Sequence, residues 1–152
     1  MRVCYLSCGG IGLLAGLLAA ADKPVAERFV GTWDLVSYEM RLPSGEVRYP
    51  YGNNPLGRIS YDAGGHMSAQ LMRRDRPAPA AGAPSAGGYS GYYGTYTVDE
   101  KSATVTHHVQ GAWTPAWIGT KQVRYYKFEG DRLTLEGDLS GGRAKLVWER
   151  VR

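Results

Sequence analysis

The stretch Phe29-Val-Gly-Thr-Trp-Asp-Leu-Val-Ser-Tyr-Glu-Met40 reads as a first long strand, and its counterpart stands at the other end of the chain in Leu146-Val-Trp-Glu-Arg150. Successive strand residues point to opposite sides, so Leu146, Trp148 and Arg150 share one face and Lys145, Val147 and Glu149 the other. The first set is assigned inward. A tryptophan at the closed end of a barrel, with a guanidinium stacked on it, gains cation–π and hydrogen-bonding energy together. Gly31, Trp33 and Arg150 are therefore read as barrel closure and not as ligand contacts.

Between these ends the chain offers strands over 46–51, 56–61, 66–72, 92–98, 103–111, 121–129, 132–136 and 143–151, with a short helical turn over 22–28 ahead of them. Asp62-Ala-Gly-Gly65 supplies the glycines of a tight hairpin, and Gly130-Asp131 and Ser140-Gly-Gly142 mark further turns. Residues 73–91, with Pro77, Pro79 and Pro84 among Ala and Gly, form a long loop inside one domain, because neither flank is long enough to fold alone. The expected class is all-β: an up-and-down antiparallel barrel of about 8–10 strands, closed so that no edge is left exposed, with a sandwich as the rival.

Residues 3–21 carry no charge, follow Arg2 and end in Ala19-Ala20-Ala21, the pattern of a cleaved secretory signal. A retained N-terminal membrane anchor is the alternative. The expected layout is a signal peptide over 1–21 and a barrel domain over 22–152, periplasmic or secreted, with no membrane span in the mature protein. Cys4 and Cys8 both fall in the signal, which excludes disulfides and thiolate chemistry from the remaining 131 residues. The formal charge of the 152-residue chain is +4, but Arg2, Arg73, Arg74 and Arg76 supply most of it. That local cluster is no broad basic face, so no nucleic-acid partner is expected.

The ends of the barrel carry a resemblance. Phe29-Val-Gly-Thr-Trp-Asp-Leu-Val-Ser-Tyr-Glu39, Tyr49-Pro-Tyr-Gly52, Gly65-His-Met-Ser-Ala-Gln-Leu-Met72, Tyr93-Gly-Thr-Tyr-Thr-Val98, Thr104-Val-Thr-His-His-Val109 and Leu146-Val-Trp-Glu-Arg150, in this order, resemble the bacterial and fungal lipocalin-like domain proteins of the calycin superfamily. The resemblance implies a barrel with a small-molecule calyx and little about chemistry, since a fold does not fix a function.

Alternation nominates the site. In 121–129 the set Gln122, Arg124 and Tyr126 faces away from Val123 and Tyr125, which places a cation in a confined interior. Gln70 and Tyr93 are nominated as polar lumen groups. Trp113 and Trp117, in the loop Trp113-Thr-Pro-Ala-Trp117, are nominated to line a mouth. His107 and His108 point to opposite faces, so only one of them enters the barrel. His108 travels with Thr104 and Thr106 and is nominated for a polar lumen, while His107 travels with Val105 and Val109. With three histidines and no cysteines in the domain, neither a metal nor a cofactor is expected, and Gly-x-Ser-x-Gly and His-Glu-x-x-His are absent. The first functional reading is a carrier or sensor for a small apolar or aromatic molecule, with Arg124 fixing an acidic group. The alternative is a barrel enzyme of the cyclase, isomerase or hydratase type acting on a polyketide- or terpenoid-like molecule.

Overall fold

The computed structural model describes residues 24–78, 87–139 and 141–152. The candidate signal over 1–21 and residues 79–86 of the long loop lie outside these described residues. A short helix α1 (Val25–Phe29) leads into β1 (Gly31–Arg41), followed by β2 (Val47–Arg48), β3 (Leu56–Tyr61), β4 (His66–Met72), β5 (Tyr89–Asp99), β6 (Thr104–Ala112), β7 (Lys121–Glu129), β8 (Arg132–Leu139) and β9 (Gly142–Arg150). From β3 onward each strand pairs antiparallel with the next, and β1 joins both β3 and β9 to close an eight-stranded barrel. The two-residue β2 is only a ribbon on the end of β1, through Met40↔Arg48 and Arg41↔Val47.

Three strand boundaries differ from the sequence expectation by three residues. The strand expected over 46–51 shrinks to Val47–Arg48, because Pro50 has no N–H to donate and the chain turns where Gly52 N–H bonds to Tyr49 O at 2.9 Å. β5 starts at Tyr89 rather than Tyr92, since Tyr89 pairs with Met72 and Arg73 N–H closes the loop onto Gly88 O at 2.8 Å. β8 runs on to Leu139.

Alternation holds around the barrel apart from two bulges. In β6 Gln110 is the extra residue, since Tyr93 pairs with Gly111 and Gly94 with Val109. β1 pairs Leu35 with Trp148 and then Ser37 with Val147, so a bulge at Val36 lets Trp33 and Leu35, then Tyr38 and Met40, all face inward. The interior is filled by Trp33, Ile59, Tyr61, Val105, Leu133, Leu135, Ala144 and Trp148, each at most 2% exposed.

One end of the barrel is sealed. Phe29, fully buried at the end of α1, stands edge-on to Tyr61, Tyr126 and Phe128 with ring centroids no more than 5.3 Å apart. Trp33 Nε1–H donates to Phe29 O at 2.9 Å, and the Arg150 guanidinium lies 4.0 Å from the Trp33 ring centroid. Arg150 also donates to Val30 O at 2.9 Å and to Arg28 O at 2.5 Å, tying the last strand to the segment ahead of the first. Gly31 is required there. Its φ of +131° is disfavoured for L side chains, and a Cβ would stand 2.7 Å from Arg150 Nη1.

A five-residue helix has no stability of its own, so its anchor carries it. Phe29→Ala should cost about 3–5 kcal/mol, as expected for an aromatic ring removed from a packed core, read as a lowered urea midpoint.

Candidate functional site

β7 supplies the charge. Gln122, Arg124, Tyr126 and Phe128 share its inner face, and Arg124 is 7% exposed. Its Nη1 donates to Val123 O at 3.0 Å and its Nη2 to Gln122 Oε1 at 2.7 Å. No carboxylate lies within ion-pair distance of it among the described residues. Space for its stem comes from β8, where Gly137 stands opposite; a Cβ there would sit 2.8 Å from both Arg124 Cδ and Val123 O.

The strands also part at this place. Pairing of β7 with β8 ends at Tyr125↔Glu136, beyond which Lys121–Arg124 pair with β6 alone and Gly137–Leu139 with β9 alone. An outer groove of about 480 Å³ opens along this split, lined by Trp117, Lys121, Gln122, Arg124, Tyr125 and Leu139 among others. Behind it lies an inner cavity of about 50 Å³ whose walls include Tyr38, Tyr51, Ser90, Tyr92 and Trp148. Groove and cavity share Trp117, Gln122, Arg124 and Leu139, so the buried cation stands between them. The cavity alone has room for no more than a few water molecules. That is the size of a carboxylate head and far below a whole drug-sized ligand.

Deeper in the barrel, His107 is 1% exposed and bridges two phenols: Nε2 lies 2.8 Å from Tyr61 Oη and Nδ1 2.8 Å from Tyr92 Oη. Burial, with the Arg124 cation second, pulls the imidazole down from 6.5 to about 3, so the ring is neutral at neutral pH. Burial pushes the hydroxyls of Tyr92 and Tyr38 up to about 12, against a smaller opposing pull from Arg124, and drives Tyr61 well above the usual phenol range. Trp148 Nε1–H is buried with no hydrogen-bond acceptor among the described residues. Ser90 Oγ makes no hydrogen bond of ordinary geometry either, though it lies near enough to Tyr51 to offset part of that phenol's upward shift.

Of the residues nominated from sequence, Arg124, Gln122 and Trp117 come together. Tyr126 faces inward but sits at the sealed end against Phe29, away from the cavity. Four nominations are corrected to the outside of the barrel. His108 bonds Thr97 Oγ1 at 3.0 Å on the outer face, because the apolar partners Val105 and Val109 carry His107 inward instead. Gln70 faces out because Met67, Ala69 and Leu71 fill the interior. Tyr93 is 59% exposed, the inward ring being its neighbour Tyr92. Trp113 is 63% exposed and packs edge-on to Tyr89. Missed from sequence were Tyr38, Tyr61, Ser90 and Tyr92. The even-numbered run Gly94, Tyr96 and Val98 was the available signal for Tyr92. Among the described residues no three His, Cys, Asp or Glu side chains converge as metal ligands.

The result is a small antiparallel barrel, sealed at one end by a Trp–Arg pair and holding at the other a largely apolar cavity with a few polar groups. The lipocalin-like domain family matches residues 30–151, and the chain belongs to that family. Among solved structures it is similar to a lipocalin-like protein from Bacteroides uniformis, at 15% identity and a TM-score of 0.48 over 81% of this chain and 98% of that one. It is also similar to a redesigned β-barrel, at 14% identity and a TM-score of 0.47 over 84% and 95% of the two chains. No curated protein matches the chain.

The depressed His107 sets a pH dependence. The unfolded imidazole takes up a proton below about 6.5 that the folded one refuses down to about 3, so stability present above 6.5 is lost as the pH falls through that window. Between pH 7 and pH 4 this contributes roughly 3 kcal/mol. Urea midpoints for the parent and His107→Gln should therefore converge on acidification, the variant showing the shallower pH slope.

Proposed function

We propose that this barrel binds a small acidic molecule with an apolar or aromatic body, its anionic head in the inner cavity against Arg124 and its body in the split between β7 and β8. The carrying observation is the buried guanidinium with no carboxylate partner among the described residues. An unpaired cation out of water is costly, and two neutral oxygen acceptors compensate it only in part. A ligand anion completes the site with charge-assisted hydrogen bonds. Trp117, Val123, Tyr125 and Leu139, which line the groove, suit a hydrocarbon or ring adjoining the head.

Proton positions favour binding over turnover. A cyclase- or isomerase-type mechanism uses a group that exchanges protons near neutral pH. His107, at about 3, and Tyr38 and Tyr92, at about 12, hold theirs instead, and His108 is outside. The uncharged run over 3–21 supports export, so the carrier is placed in the periplasm or outside the cell. No helix of the described residues is long and apolar enough to cross a membrane.

The test uses octanoate and benzoate as probes, with octanamide and benzamide as uncharged controls, followed by Trp fluorescence and calorimetry. Arg124→Met should weaken the acids about tenfold or more, the value of one charge-assisted hydrogen bond, and leave the amides unchanged. The same variant should be no less stable than the parent, because it removes a buried charge that is only partly compensated. Equal acid affinity in parent and variant would reject the reading. Gly137→Ala should weaken the acids as well, by pressing a methyl group against the Arg124 stem.

A further inference from the structure

The Tyr61–His107–Tyr92 chain holds three protons for two hydrogen-bonded contacts, and the place of the third proton fixes its polarity. A neutral imidazole has a single N–H, so one ring nitrogen donates and the other accepts. Tyr61 is 2% exposed, and His107 Nε2 is the only hydrogen-bond partner of its hydroxyl among the described residues. If Nε2 carried the proton, Tyr61 would accept it, and its own buried O–H would be left with no acceptor, the costly way to leave a polar group. If Tyr61 donates to Nε2, only a phenol lone pair goes unused. The ring proton then sits on Nδ1 and is donated to Tyr92 Oη. Tyr92 lines the cavity with Arg124, and its hydroxyl proton has been freed from His107.

We propose that Tyr61 and His107 act as positioning residues that aim the Tyr92 O–H into the cavity, so that Tyr92 and Arg124 both donate to the head group and favour a carboxylate or other anionic acceptor over an alcohol or amide. This rests on the ligand reading above and adds the feature that reads the head group. In the opposite polarity Tyr92 would offer a lone pair to the cavity, and an alcohol or amide N–H would be accepted there. The neutrality of the ring, set by its burial, keeps this polarity constant across the physiological pH range. The deep phenols and imidazole thus serve as a fixed dipole chain, with no proton transferred along it.

Long-range ¹⁵N–¹H correlation on the intact protein without ligand reads the ring directly. We expect His107 with Nδ1 protonated and Nε2 bare. A protonated Nε2, or an averaged pair of signals, would overturn the proposal whether or not any ligand is found. Tyr61→Phe removes the donor to Nε2, so the Nδ1–H form loses one hydrogen bond and its lead over the Nε2–H form should narrow. It should also narrow the octanoate-over-octanamide preference several-fold while the near-ultraviolet circular dichroism shows an intact barrel. An acid-over-amide preference unchanged in Tyr61→Phe would overturn Tyr61's part. Should the parent bind none of the acid probes, the ligand reading fails alone, and the tautomer spectrum still decides the polarity of the chain.

Discussion

The guanidinium of Arg150 over the Trp33 ring is the contact on which the rest of the molecule depends. It joins the first strand to the last at the point where a flat meander becomes a closed wall, and its two backbone hydrogen bonds draw the incoming chain across the barrel end. Closure removes the exposed edges that β1 and β9 would otherwise present. It also creates an interior, and with it the need to satisfy whatever polar groups face inward. At the sealed end that need is met by aromatic packing around Phe29. At the other end it is met only partly, and there the site lies.

Polar groups in the interior are of two kinds. The imidazole of His107 and its two phenols satisfy one another and remain neutral, so their burial carries a moderate penalty. Arg124 is different: its partners are a backbone carbonyl and an amide oxygen, both uncharged. A domain of this size has little stability to spare, and a cation so weakly compensated costs some of it, a cost that the proposed anion site would account for. Gly137 accommodates the same cation from the facing strand, since it gives up a side chain to leave room for the arginine stem.

Much of the fold was legible because alternation and turn chemistry agree along most strands. Period two grouped Arg124 with Gln122 on one face of β7, and no bulge interrupts that strand; neither face is cleanly apolar, so it is the packing that shows this set inside. The errors arose where both parities offered a plausible inward residue. Tyr92 and Tyr93 are chemically identical, so only the neighbouring Gly94, Tyr96 and Val98 could separate them. At His107 and His108 a polar lumen was weighed against an apolar one, and the apolar set won because Val105 and Val109 are needed to fill the core. Gln70 was misplaced for the same reason. Nothing local to β1 announces the bulge at Val36; it is imposed by the registry with β9, a contact between residues over a hundred positions apart. The cavity itself could not be read from sequence, since it is a difference between packed volumes on eight strands.

The split between β7 and β8 gives the barrel two mechanical halves. Around Trp33 every strand is held on both sides and by the aromatic plug, so local opening there approaches the cost of global unfolding. Around Arg124 two strands each hold only one neighbour, and widening the gap breaks no ladder that exists. The wall can therefore breathe at its upper rim while the base stays shut. For the proposed carrier this would let one protein take guests of different girth, sorted by their head group inside and tolerated in their bulk outside.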